Sequence, residues 1–294
     1  MKRLADHIKR VGLIANSGKP PSRTLVRKAA SLIQASRRTV MTDNSTAALA
    51  GLRVPVCSDT ATLAHQVQLL MVFGGDGTML RVAREMAGSG TPVIGINVGS
   101  LGFLTDVQAH QLQLALRQIW AGETILESRS LIEASARNGV RTIAEIALND
   151  FVISRGAAPR LIDLEVTVDG ETLTRYRCDG VIVCTPTGST AYSLSAGGAV
   201  VCPTADVFTL TPICPHTLSN RSVIVGLDSI VRVRVLSERM DTFLTSDGQK
   251  IIPLSADDVV AIKRSRHSIR LLHLAGSSFF ETLRRKLNWS GSNV

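Results

Sequence analysis

Paired cysteines are missing from this sequence. Its five cysteines, Cys57, Cys178, Cys184, Cys202 and Cys214, are odd in number and show no C-x-x-C spacing. That excludes a disulfide framework or a zinc site as the basis of the fold and suits a reduced cytosol. Long apolar runs are also missing. No stretch approaches the roughly 20 residues that cross a bilayer, and the basic start MKRLADHIKRVGLIANSGKP has only Val11 to Ala15 as an apolar run, too short for a secretory core. There is no internal repeat, no low-complexity tract, and neither a Walker loop nor a G-x-G-x-x-G fingerprint. What remains is a chain of 294 residues, 45% of them hydrophobic. That composition rules out disorder, and the length favours two modest cores.

Acidic residues are scarce at the two ends. Residues 1–40 carry ten Lys or Arg against one acid, residues 263–294 carry seven against one, and the segment between holds 16 basic and 22 acidic residues. One reading is a basic face, built from both ends, that attracts polyanionic nucleotides or nucleic acid. The other is that Arg27, Lys28, Arg37 and Arg38 line the solvent side of an ordinary helix.

Apolar patterning divides the chain in two. From residue 10 to about 120, strand-like runs (Val11–Ala15, Gln68–Phe73, Pro92–Asn97) alternate with helical ones (Ser22–Ser36, Gly77–Ala87, Ala109–Ile119). This predicts a parallel sheet covered by helices. Beyond Gly122 the segments become short and β-branched: Ser128–Arg137, Ile143–Ile153, Ile162–Val168, Glu171–Arg177, Val181–Cys184, Ile230–Ser237, Thr242–Ser246 and Val259–Lys263. Asp169-Gly170 and Asp247-Gly248 supply turns between them. The fold class is therefore α/β plus all-β. Phe279, Phe280, Leu283 and Leu287 recur at helical spacing within Ser278–Trp289, which predicts a packed terminal helix.

The most pointed stretch is MVFGGDGTMLRVAR, Met71 to Arg84. An apolar strand breaks into Gly74, Gly75 and Gly77, whose missing Cβ atoms let a polyphosphate approach backbone amides. A helix then points its positive end at the same loop. Asp76 stands out, because a carboxylate beside a phosphate cradle needs an intervening cation or accepts a proton. The plainer alternative is that it caps the following helix. A second glycine loop, GINVGSLG, is expected at the same sheet edge, where open α/β sheets bind ligands.

GGDGTML at 74–80 is followed in order by GINVGSLGFLTD at 95–106, ALNDFVISRG at 147–156, CDGVIVCTPTGSTAYSLSAGG at 178–198 and TPICPHTLSNRSVIV at 211–225, with echoes in SDGQ at 246–249 and FFETLRRKLNWS at 279–290. Together these resemble the NAD kinases of bacterial type, which phosphorylate NAD to NADP. The resemblance is strong from about residue 70 onward and thin over the first sixty residues. It implies a Rossmann-like parallel-sheet domain over residues 1–122 with the GGDG phosphate-binding turn. A β-sandwich domain that binds NAD follows over residues 123–270, and a tail, 271–294, returns to the first domain.

The residues bear this out chemically. Asn149 and Asp150 emerge at a strand end, where an amide and a carboxylate can read hydroxyls; an Asx turn would account for one but hardly both. In the 178–198 stretch Thr187, Ser189, Thr190, Ser193 and Ser195 supply donors and acceptors without bulk, while Gly188, Gly197 and Gly198 admit the backbone to a flat ligand. The resemblance assigns NAD to Asp76, Gly77, Arg81, Asn149, Asp150, Arg160, Arg177, Asp179, Thr190, Ala191, Tyr192, Ser193, Leu194, Ser195 and Gln249. It assigns the ATP phosphates to Gly74, Gly75 and Gly77, and catalysis to Asp76. Arginine suits phosphate because its guanidinium grips bidentately and stays charged. His216 and Cys214 read as structural, the histidine buried between prolines.

The expected reaction moves the γ-phosphoryl of ATP to the 2′-hydroxyl of the adenosine ribose of NAD, with Mg²⁺ or another divalent cation held largely by phosphate and water and with no assigned metal residues. A homodimer or homotetramer in the cytoplasm is implied, with neither membrane nor nucleic acid as partner. Two alternatives stand beside it. A lipid kinase of the diacylglycerol or sphingoid-base type shares the GGDGT turn, and a non-catalytic NAD(P)-binding regulator would use the basic ends.

Overall fold

The computed structural model describes residues 4–105, 107–138, 141–158, 160–216, 221–238 and 241–289. Asp106, Thr217, Leu218, Ser219, Asn220 and Ser290, which fall inside the recognised motifs, lie outside them. The chain forms two compact units: Met1–Ser128 together with Ser268–Val294, and Arg129–His267.

The first unit is built on a parallel sheet in the order Val56–Cys57, Thr39–Asp43, Arg10–Ala15, Leu69–Gly74, Val93–Asn97. Leu271, from the end of the long strand Val259–Leu274, pairs beside Val93. Every residue of Leu69–Gly74 and Val93–Asn97 is buried, as expected of parallel strands covered on both faces. Helices Pro21–Ala35 and Leu112–Ala121 contribute Val26, Ile33, Leu112 and Leu116 to a core with Leu13, Met71, Phe73, Ile94 and Ile96. Short helices were not foreseen from the sequence because capping, more than periodicity, defines them: Asp43 caps Asn44–Ala50 through the Thr46 amide, and Asp59 caps Thr60–Gln66 through the Thr62 amide.

Register decides where the ligand edge lies. Ala15 pairs with Phe73, Phe73 with Ile96, and Gly74 with Asn97. The loops that follow these three strands therefore leave the sheet side by side, where the strand order reverses between Arg10–Ala15 and Leu69–Gly74. The terminal helix is Phe279–Leu287, capped by Ser278, and its Phe279 ring lies 6.4 Å from that of Phe103 in the last of these loops.

The second unit holds two antiparallel sheets. One runs Val223–Gly226, Val207–Ile213, Gly180–Cys184, Asp150–Arg155, Thr242–Ser246, Lys250–Leu254. The other places Glu171–Cys178, Ile162–Val168, Val231–Val235 and the first part of Val259–Leu274 in order. Phe151, Ile153, Val183, Phe208, Leu210 and Leu244 from the first meet Leu164, Val166, Val231, Val233, Val260 and Ile262 from the second in one core. Val231, Val233 and Val235 alternate with more exposed residues, which is the half-buried pattern of a sandwich strand. Gly180–Cys184 is buried throughout, because Ile182 and Cys184 pack on the opposite face with Val152 and Ala196.

Two expected strands come out differently. Ile143–Ile153 is interrupted: Arg141–Ala147 and Asp150–Arg155 are separate strands in different sheets. Val259–Lys263 continues to Leu274, since Arg264, Arg266 and Arg270 lie outward while Ser265, Ile269 and Leu271 are buried. Phe208 is fully buried in the sandwich core. Phe208→Ala should cost about 3–5 kcal/mol, read as a lower urea midpoint.

Candidate active site

In the first unit the helix Asp76–Glu85 begins one residue past the glycine pair. Gly75 is its N-cap and makes no side-chain cap bond. Asp76 does not cap either. Its Oδ2 accepts from the Phe103 amide at 2.7 Å, and its Oδ1 accepts from the Leu104 amide at 3.0 Å and from Thr105 Oγ1 at 3.2 Å. A carboxylate offers about four acceptor positions. Three are taken by this loop, which leaves one on Oδ2. Gly102 is required for the arrangement, because a Cβ there would run into the Asp76 carboxylate.

The loop is fixed from its other end by Asn97, whose Nδ2 donates to the Ser100 carbonyl at 2.6 Å and to Thr105 Oγ1 at 3.1 Å, and whose Oδ1 accepts from the Gly99 amide at 2.6 Å. The Val98 amide donates to the Gly74 carbonyl at 3.0 Å, tying it to the GGDG turn. Gly77 is exposed at the turn. Arg81 is directed along its own helix, with Nη1 donating to Glu85 at 2.8 Å.

In the second unit a cluster forms around the strand break at Leu148-Asn149. Asp247, at φ 49° in the turn after Thr242–Ser246, accepts from the amides of Leu148, Asn149 and Asp150 at 3.1, 2.8 and 3.2 Å. These amides would otherwise be buried without acceptors. Thr185 donates through Oγ1 to the Leu148 carbonyl at 2.7 Å and through its amide to the Asn149 carbonyl at 2.9 Å. Gly188 lies so close to the Asn149 backbone that a Cβ would collide with it. The Asn149 side chain is 9% exposed, and its Oδ1 has no hydrogen-bond partner. A buried, unsatisfied amide oxygen can accept from a water or from a donor that a ligand brings. Asp150, 4% exposed, has its carboxyl pushed up to about 7 by burial and then by the neighbouring Asp247 charge. Cys184, opposite Asp150 in the sheet, has its thiol pushed up to about 12 by burial, which keeps it protonated and unreactive.

The hydroxylated stretch divides. Thr187–Thr190 is a 3₁₀ turn and Tyr192–Ser195 a single helical turn. Ser193 is buried, its Oγ bonded to Thr211 Oγ1 at 2.9 Å, and Ser189 Oγ serves the Pro186 carbonyl and the Val201 amide. These two hydroxyls shape the turn. Thr190, Ala191 and Leu194 are half-buried; Ser195 and Tyr192 are exposed, Tyr192 at 48%. Asp179 pairs with Arg155 Nε, whose Nη1 also reaches the Ala158 carbonyl at 2.8 Å. Arg160, Arg177 and Gln249 are exposed, and no contact joins Arg160 or Arg177 to the Asn149 cluster among the described residues. His216 is exposed, not buried: the chain turns outward at Cys214, which has φ 45°, and the His216 amide donates to the Arg177 carbonyl at 2.8 Å.

Sequence reasoning passed over Asp247, Arg155 and Gly102. Asp247 and Arg155 stood inside quoted motifs, SDGQ and NDFVISRG, and a carboxylate in a turn beside a strand end was the available signal.

The Asp150 environment has a thermodynamic signature. A carboxyl that titrates near 7 folded and near 3.8 unfolded holds its proton more tightly in the folded state. The stability this contributes is complete below about pH 4 and is lost as pH rises through about 7. Asp150→Asn should therefore flatten the fall in Tm between pH 5 and pH 8, on the order of a few kcal/mol of differential stability, as read by calorimetry across that range.

Comparison with known proteins bears on the family and the fold. The ATP-NAD kinase N-terminal domain model matches residues 11–124, and the ATP-NAD kinase C-terminal domain model matches residues 148–274. The NAD kinase of Symbiobacterium thermophilum is 42% identical over 277 residues, 94% of this chain and 98% of its own length. Among solved structures, yeast NADH kinase complexed with NADH superposes with a TM-score of 0.87 at 26% identity, over 98% of this chain and 89% of that one. The fold is likewise that of an Archaeoglobus fulgidus NAD kinase in complex with ATP, with a TM-score of 0.74 at 24% identity over 96% of this chain and 100% of that one. This chain belongs to the NAD kinase family.

Proposed function

We propose that the chain transfers the γ-phosphoryl group of ATP to the 2′-hydroxyl of the adenosine ribose of NAD, with Asp76 accepting the hydroxyl proton. The observation that carries this is the held Asp76 carboxylate. Three donors fix its plane, and one acceptor position on Oδ2 remains beside the glycine turn. The 2′-oxygen forms a bond to the γ-phosphorus, its proton passes to Asp76, and the bond from the γ-phosphorus to the bridging oxygen breaks, releasing ADP. Gly74, Gly75 and Gly77 leave room for the phosphates.

Among the described residues there is no group of three or more His, Cys, Asp or Glu able to cage a metal ion. The divalent cation is read as arriving with ATP, held by phosphate and water, and neutralising charge on the phosphate oxygens.

The second unit is read as recognising NAD. The unpaired Asn149 oxygen can accept from a ribose hydroxyl or an amide, and Asp150, carrying its proton near neutral pH, can donate to one. Tyr192 offers an exposed ring for a flat base, and Asp179, oriented by Arg155, an acceptor at a strand edge. Thr190, Ala191, Leu194 and Ser195 supply the small surface around Tyr192, with Ser193 shaping it from beneath. Gly77, Arg81, Arg160, Arg177 and Gln249 are assigned to NAD on the family resemblance; for Arg81 this requires release from Glu85. No described helix is long and apolar enough to cross a membrane. The finer reading is a cytoplasmic homodimer or homotetramer.

Purified protein given Mg²⁺, ATP and NAD, with NADP read by a specific coupled dehydrogenase, should make NADP. Asp76→Asn should keep NAD binding and lose at least about a hundredfold in turnover; near-normal turnover would remove Asp76 from the chemistry. Asp179→Ala should raise KM for NAD well before that for ATP, and equal effects would make the residue structural.

A further inference from the structure

We propose that Lys19 is the cation that grips the β- and γ-phosphates of the nucleotide donor at the GGDG turn, an inference that rests on the kinase reading above. Lys19 lies in the loop after strand Arg10–Ala15. Its position is built. The Asn16 amide donates to the Phe73 carbonyl at 2.9 Å, and Asn16 Nδ2 donates to Thr78 Oγ1, on the helix that starts at Asp76, at 3.3 Å. Asn16 Oδ1 accepts from the Gly18 amide at 2.9 Å, and the Asn16 carbonyl accepts from the Lys19 amide at 3.2 Å. The loop is thus locked to both the strand and the helix that flank the glycine turn.

From there the Lys19 side chain reaches across two glycines. Its Nζ lies 3.6 Å from the point where a Cβ of Gly75 would stand and 3.0 Å from the corresponding point at Gly99. A Cβ at Gly99 would meet the ammonium at 3.0 Å, so this glycine leaves room for the cation beside the turn. The residue is half-buried, and among the described residues no carboxylate pairs with it. The nearest acid of the turn, Asp76, is directed to residues 103–105. An ammonium on a flexible stem, held over glycine backbone and left without a counter-ion, suits phosphate oxygens. The donor is the more anionic substrate, and charge spreading over its γ-phosphoryl oxygens in the transition state is what a fixed cation would offset.

The test compares the full-length protein with Lys19→Met, which keeps length and removes charge, and with Lys19→Arg. Lys19→Met should weaken ATP binding by calorimetry, with Mg²⁺ present, by about tenfold to a hundredfold. It should raise KM for ATP to match, leave KM for NAD within about twofold, and flatten the salt dependence of ATP binding. Lys19→Arg should recover part of the loss. Unchanged ATP affinity in a Lys19→Met protein with a wild-type melting curve overturns the inference, as does a shift confined to KM for NAD. If Lys19→Met does not fold, Lys19→Arg and Lys19→Gln carry the same comparison. Failure of the wild-type protein to make NADP would instead overturn the kinase reading, and the calorimetric comparison would still decide the role of Lys19 toward ATP.

Discussion

A backbone amide that leaves a sheet must find another acceptor, and at the Leu148 strand break and in the loop after Val93–Asn97 one carboxylate serves. Asp247 takes three successive amides where the chain breaks between two strands at Leu148-Asn149. Asp76 takes two amides and a hydroxyl of the loop after Val93–Asn97. Each turns an irregular segment into a fixed one, and each leaves a side chain beside it with unused capacity: the Asn149 oxygen and proton-bearing Asp150 in one unit, the remaining Oδ2 acceptor position in the other. Buried hydrogen-bond satisfaction thus sets the geometry on which the chemistry depends.

The parallel half was legible because Leu69–Gly74 and Val93–Asn97 are buried on both faces and read as apolar runs, and because helix Pro21–Ala35 keeps its apolar residues on one side. The sandwich strands with clean alternation, such as Ile162–Val168, were legible too. Val259–Leu274 was cut short because its outward arginines interrupt the apolar signal while a sheet edge still pairs with it. The break at residue 148 was hidden because its cause, Asp247, is about a hundred residues away in sequence. His216 misled for a similar reason: the left-handed turn at Cys214 sends the chain outward, and nothing in PICPHT announces it.

The site was legible as a set of motifs and less so as a set of roles. Small hydroxylated residues look alike in sequence, yet Ser193 and Ser189 spend their hydroxyls internally while Ser195 and Tyr192 face outward. The lipid-kinase reading rested on the GGDGT turn and a similar two-domain plan, whereas the family models match residues 11–124 and 148–274, and the relative at 42% identity spans 94% of the chain.

The way Asp76 is held also indicates which property the fold favours. Phosphoryl transfer passes through a loose transition state in which little proton transfer is needed early, so alignment and charge neutralisation dominate over the strength of the base. A carboxylate free to rotate would sample many directions for its lone pairs. With both oxygens bound to one loop, and no Cβ at Gly102 to obstruct them, the remaining acceptor position has one direction. The Phe103–Phe279 contact ties that same loop to the terminal helix. The tail of the chain therefore bears on the Asp76 carboxylate through packing, although no residue of that helix bonds to Asp76 among the described residues.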